Sequence, residues 1–396
     1  GPLAHPVRPD SYIEINNFYT ATVYEKGAEV IGMLRTLIGA DAYRRSLDLY
    51  FERHDGHAAT IEDWLKVFED TTGRDLSQFK RWYSDAGTPR VSVSEDWQDG
   101  TFSLTFTQAT APTPGQPEKP PRVIPIAVGL LNPNGDEVLP TTVLEMTKAT
   151  QTFRFESLAS RPVASILRDF SAPIVLERTQ SSAERAFLFA HDTDPFNQWE
   201  AGRALLDETL RAMILGQSAP PDQLLAALDH MLGDPGLDPA FRALCLRLPS
   251  ADDMAQGLKD AGFTPDPDAI HQQTRRLRGI IADRLERPLA RLYADMSDGG
   301  AFNPDARAAG RRAPPAVRAR GGASRMSART GRPGSAHGGA NKAGWCSGAA
   351  PGSRVARPAG RTAGPARRRG CRSSAPVWSV QRPAGWPSEV PALCPC

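Results

Sequence analysis

Apolar residues change their spacing twice along this chain, and the two changes limit it to helices, then strands, then helices. In the first stretch Val23, Gly27, Val30, Ile31, Leu34 and Ile38 recur at the period of one helix face. Gly39 ends that helix, and Asp41 is placed to cap the next through its side-chain oxygen. Tyr43, Leu47, Tyr50 and Phe51 continue the apolar face. Thr60-Ile61-Glu62-Asp63 reads as a capping box with a shorter acid, ahead of Trp64, Leu65 and Phe68. Asp75 to Gln78 opens a last short helix bearing Phe79, Trp82 and Tyr83. Gly87-Thr88-Pro89 then breaks the pattern. Phe102, Leu104 and Phe106 alternate with Ser103, Thr105 and Thr107, the signature of a half-buried strand, and Ile124, Ile126, Val128 and Leu130 repeat it. Asn132-Pro133-Asn134-Gly135-Asp136 is a turn. Phe153 with Phe155, and Ile174 with Leu176, mark further strands. Residues 88–179 are expected to form a small antiparallel β-sandwich, with the Pro-rich stretch 111–121 as an exposed loop.

From about residue 180 the helical period returns. Phe196, Trp199, Leu206, Leu210, Met213 and Ile214 share one face, which Arg203 interrupts; Leu224, Leu225, Leu228 and Met231 make another. Short helices separated by Pro and Gly fit a solenoid of stacked pairs better than a compact bundle. Residues 314–396 differ in kind: they contain no Ile, Phe, Tyr or Asp and a single Leu, while Gly, Pro, Ala and Arg supply 53 of the 83 positions. Such a segment cannot bury enough apolar surface to offset its ordering entropy. It reads as a basic nucleic-acid arm, as a disordered tail, or as GC-rich coding sequence translated out of frame; the last fits best.

Charge divides at the same place. The last 83 residues hold 14 of the 47 Lys and Arg and one acid, Glu389, leaving 33 basic against 44 acidic side chains before them, a net of −11. An acidic body gives no electrostatic case for nucleic acid. Cys245 is the single cysteine of the first 313 residues; Cys346, Cys371, Cys394 and Cys396 follow. One thiol in a large body implies a reducing compartment without a disulfide framework. No charged-then-apolar leader and no long apolar run is present, so neither secretion nor membrane spanning is expected.

Most candidate chemical groups are isolated. His54-Asp55-Gly56-His57 sits in a turn without a third ligand and reads as a solvated pair. His191, His230 and His271 lie on helical segments without an evident partner, and His5 is expected to order a loop. Cys394-Pro395-Cys396 is too closely spaced for a zinc knuckle. No phosphate loop, nucleophile elbow or Ser-His-Asp arrangement stands out.

One long run is different. Asn16-Asn17-Phe18-Tyr19-Thr20, then Val23-Tyr24-Glu25-Lys26-Gly27-Ala28-Glu29-Val30, resembles the segment that carries the catalytic tyrosine of the aminopeptidase N family of zinc aminopeptidases. Residues 1–10, with Ala4-His5-Pro6, fit the stretch that follows the zinc site in that family. Phe51-Glu52-Arg53-His54-Asp55-Gly56, Trp82 to Pro89, and Phe170-Ser171-Ala172-Pro173 extend the likeness, and Ser297 to Ala313 resembles the family's helical domain.

The resemblance implies a multidomain α+β chain. Residues 1–87 would be the helical end of a thermolysin-like catalytic domain, 88–179 a β-sandwich, and 180–313 the start of an α-helical C-terminal domain. It implies Tyr24 as the donor that stabilises the oxyanion, and Asn16 and Tyr19 near the substrate pocket; Gly27, lacking a side chain, suits a tight approach of the helix start to its neighbour. It also implies a peptide substrate, a zinc ion in the parent enzyme, a cytoplasmic location, and a monomer. The chain contains no His-Glu dipeptide, so the H-E-x-x-H helix cannot be built from it. No zinc is therefore expected on this chain, and no activity from it alone. The alternative is a non-catalytic interaction module built from the sandwich and helices.

Overall fold

The computed structural model describes residues 5–217, 221–296, 303–306 and 308–312. The expectations for the tail at 314–396 lie outside them. Four helices open the fold: α1 (Gly27–Ile38), α2 (Ala40–His54), α3 (Ile61–Thr72) and α4 (Ser77–Ser84). The Thr60 hydroxyl accepts the Asp63 amide, and the Asp63 carboxylate accepts the Thr60 amide in return, so the capping box forms with the shorter acid. Asp75, expected to cap α4, accepts the Ser77 amide at 2.8 Å, but Leu76 is the residue before the helix, so Asp75 closes the turn ahead of it and is not the cap. Asp41 does not cap: the residue before α2 is Gly39, and Asp41 lies inside the first turn, where the helix dipole favours it.

Seven strands follow: β1 (Arg90–Gln98), β2 (Thr101–Ala109), β3 (Ile124–Leu131), β4 (Glu137–Met146), β5 (Thr150–Phe155), β6 (Val163–Ile166) and β7 (Val175–Glu177). They make one sheet of order β5-β2-β1-β7 and another of order β4-β3-β6. All pairings are antiparallel except β1 with β7, which meet in parallel at Arg90 to Ser92. The alternating pattern does not reveal β1, β4 or β6. It also reads β3 too narrowly, because every residue of that strand is buried. The face expected to meet solvent is covered by the segment after β6: the Ser171 hydroxyl accepts the Ala127 amide, and the Arg168 guanidinium lies where a Cβ on Gly129 would stand.

The opening helices and the sandwich share one core, running from Val7 to Ile174. Trp82 is fully buried in it and its indole N–H donates to the Val123 carbonyl at 2.8 Å. Arg122 stacks over the same ring at 5.0 Å and satisfies its charge on the carbonyls of Asp85, Ala86 and Gly87.

A second core holds the helices beyond: α5 (Ser182–His191), α6 (Pro195–Ile214), α7 (Asp222–Gly233), α8 (Pro239–Cys245), α9 (Ala251–Asp260), α10 (Pro267–Arg284) and α11 (Glu286–Met296). Asp194, Asp238 and Asp266 each precede a proline and each accept first-turn amides, so Asp-Pro starts three of these helices. Arg203, which interrupts the α6 face, lies over Trp199 at 5.6 Å.

The two cores meet at Arg168, which pairs with Glu137 at 2.5 Å and with Asp192 at 3.0 Å; all but 1% of its side chain is buried. Around it the backbone is left-handed at Leu167, Asp169 and Phe170, with φ of 69°, 54° and 49°.

Candidate active-site segment

The segment from Tyr12 to Lys26 carries the three residues singled out by resemblance. A tight turn at Ile15–Phe18 leads into a wider π-helical turn at Thr22–Lys26, which merges with α1. Wide turns of this kind occur often at functional sites, because the extra residue redirects side chains off the helix register. Thr20 fixes the turn: its carbonyl accepts the Tyr24 amide at 3.0 Å and its hydroxyl accepts the Val23 amide at 3.2 Å.

His5 supports Thr20 from outside. Its Nδ1 lies 2.7 Å from the Pro6 carbonyl, which can only accept, so Nδ1 carries the proton and Nε2 accepts from the Thr20 hydroxyl at 2.9 Å. His5 thus orders a loop, as the sequence indicated.

Tyr24 and Tyr19 are brought together: their rings stack with centroids 5.9 Å apart and planes 28° apart. Both are half exposed, and Tyr12 and Phe18 extend the aromatic row. Among the described residues no hydrogen bond engages the Tyr24 hydroxyl. Asn16 is exposed on the preceding turn, and no hydrogen bond or ring contact joins it to either tyrosine. Gly27 is buried, but a Cβ there would meet Val7 at 3.5 Å, an ordinary contact; the tight approach assigned to it does not occur.

Lys26 was not singled out from sequence. Its ammonium donates to the Gly87 carbonyl at 2.9 Å, tying the Tyr24 turn to the entry of the sandwich. Burial, with Arg122 and Lys119 nearby, brings its pKa down from 10.5 to about 8. A contact across 61 positions leaves no local signal in the chain.

The histidines on helices need one correction. His191 and His230 are partners, with ring centroids 4.8 Å apart. Burial and the charge of His230 hold His191 below the usual imidazole range. His54 packs on Tyr50 instead and shares only a backbone bond with His57. Burial pushes the Cys245 thiol up to about 12, which leaves it unreactive. A catalytic zinc takes about three protein ligands. Among the described residues no three His, Cys, Asp or Glu side chains converge, so they do not fit such a centre.

Comparison with known proteins places these parts in one architecture. Residues 2–83 match the peptidase family M1 domain, 87–179 a domain of unknown function with an Ig-like fold, and 182–317 its C-terminal companion, described as ARM repeats. That succession defines an M1-type peptidase chain. Over 321 residues the sequence is 44% identical to aminopeptidase N of Caulobacter vibrioides, covering 79% of this chain and 36% of the relative. It is 41% identical over 307 residues to aminopeptidase N of Escherichia coli, covering 74% of this chain and 35% of that one. The structure superposes on Legionella pneumophila aminopeptidase A in complex with aspartic acid with a TM-score of 0.72, at 24% identity, over 83% of this chain and 38% of that chain. The chain belongs to the aminopeptidase N family, and spans little more than a third of the length of the curated relatives it matches.

Proposed function

We propose that this chain supplies the oxyanion-stabilising tyrosine of a zinc aminopeptidase that removes N-terminal residues from peptides in the cytoplasm, acting as a monomer. The observation that carries the reading is the state of Tyr24: half exposed, stacked on Tyr19, on a wide turn anchored by Thr20 and Lys26. A phenol is a neutral donor at pH 7. A donor with no bond of its own can strengthen its interaction as negative charge grows on the scissile carbonyl oxygen, which lowers the barrier rather than only tightening substrate binding. Stacking on Tyr19 restricts where that hydroxyl can point, and Asn16 and Tyr19 would border the substrate. The metal would polarise the carbonyl and activate water; the residues described here do not fit its site, and none of them is given a part in holding it.

No helix among the described residues is long and apolar enough to cross a membrane.

The test is a chimera in which residues 5–312 replace the matching stretch of the Caulobacter relative. With Tyr24→Phe, turnover of an aminoacyl anilide should fall by about a hundredfold to a thousandfold, with KM little changed. Unchanged turnover would remove Tyr24 from the reaction. The chain by itself should give no turnover, with or without added zinc.

A further inference from the structure

We propose that His191 and His230, at the C-terminal ends of α5 and α7, form a two-imidazole site for a divalent transition-metal ion. The sequence reading expects no metal on this chain; packing of α5 against α7 creates the pair. The two ring centroids are 4.8 Å apart. With a metal–nitrogen distance of about 2.0–2.1 Å, each centroid would lie roughly 3.2 Å from the ion, and this separation gives a ligand–metal–ligand angle of about 97°. That value falls between square and tetrahedral geometry, so the spacing of the two rings is compatible with a shared ion once their nitrogens turn toward it.

For His191 the choice of nitrogen is also set. Nδ1 of His191 lies against Gly135 in the β3–β4 turn, where an added Cβ would stand 2.6 Å from it, which leaves Nε2 for a ligand. Neither imidazole makes a hydrogen bond among the described residues; their contacts are ring contacts, with each other and, for His191, with Phe187.

The surroundings favour a cation. His191 ends α5 and His230 lies in the last turn of α7, so the negative ends of two helix dipoles meet at the pair. An open cleft of about 610 Å³ adjoins His230 and is bordered by the carboxylates of Asp229 and Asp234. Two imidazoles without a third protein ligand would leave the remaining positions to water. Ions that accept imidazole and water together, such as Ni²⁺, Cu²⁺ and Zn²⁺, are the class that fits.

Calorimetric titration of the full chain with Ni²⁺ near neutral pH tests this, after alkylation of the thiols because the tail cysteines would compete. One equivalent should bind. His191→Asn and His230→Asn should each remove it or weaken it at least about tenfold, and His54→Asn should leave it intact. Ni²⁺ should also raise the melting temperature of the parent chain and not of the two variants. His230 is exposed, so His230→Asn decides the matter even if the half-buried His191 variant folds poorly. No binding by the parent chain, or binding that survives His230→Asn, would overturn the site and leave the pair as packing alone. Neither result bears on Tyr24, because the readout is metal binding rather than turnover.

Discussion

The sandwich joins the helices before it and the helices after it by opposite means. On the first side the contact is a continuous apolar core, with Trp82 at its centre and a guanidinium, Arg122, satisfied mainly by carbonyls. On the second side each partner keeps its own core; Leu131 is the sandwich's buried member of the second, and charge does the fastening through Arg168, Glu137 and Asp192. An apolar seam makes two segments one cooperative unit, because burial on each side depends on the other. A polar seam between two complete cores lets each side fold largely alone and specifies how they dock.

The largest test of this contrast is Trp82→Ala, which should cost about 3–5 kcal/mol and lower the stability of the opening helices and the sandwich together. Urea unfolding followed by circular dichroism and by fluorescence would show it; separate transitions for those two segments would break the comparison.

Arg168→Leu comes next. It leaves the Asp192 carboxylate buried without its partner, at a cost of about 3 kcal/mol, and the helical region should then melt apart from the rest. Adding Asp192→Leu should recover much of the loss. If the double variant stays as weak as the single one, charge is not what fastens this seam.

A smaller effect belongs to Lys26, at the edge of the first seam. Unfolded, its amine titrates near 10.5; folded, at about 8. Below about pH 8 both states hold the proton, and the folded state carries a poorly solvated charge. Between about pH 8 and 10.5 the unfolded state binds more protons, so this group makes stability rise with pH. Urea midpoints across that window should climb less in Lys26→Met than in the parent chain.

Smaller still is Arg74→Ala. The Arg74–Glu145 pair crosses the first seam at its surface, with both side chains more than a third exposed. Its loss should cost under about 1 kcal/mol and vanish at high salt, which would confirm that the polar contacts there are peripheral.

The sequence revealed elements whose cause is local. The Thr60 capping box needs only residues three apart, and β2 shows its buried face as Phe102, Leu104 and Phe106 in strict alternation. It failed where burial comes from elsewhere in the chain. β3 looked half-exposed because nothing near it announces that Arg168 will cover Gly129. β4 was hidden because much of it, Val138 and Val143 included, faces solvent. The candidate site divides in the same way. Tyr24, Tyr19 and Asn16 lie on one short run and could be named together. The Lys26–Gly87 tether and the His191–His230 pair join distant positions, and no spacing rule reaches them.

The left-handed run beside Arg168 has a mechanical consequence. Leu167, Asp169 and Phe170 all sit in a region that costs L-residues roughly 1–2 kcal/mol each, and none of them is glycine. The segment therefore resembles a bent spring, closed by the grip of Arg168 on the carboxylates at either side and by the bond from the Asp169 amide to Asp194. A relaxed linker would loosen by degrees as its bonds weakened. Here each residue released would move to a cheaper conformation, so opening is expected to be abrupt once the grip fails. The angle between sandwich and helices should accordingly be either held or lost, with no populated intermediate posture.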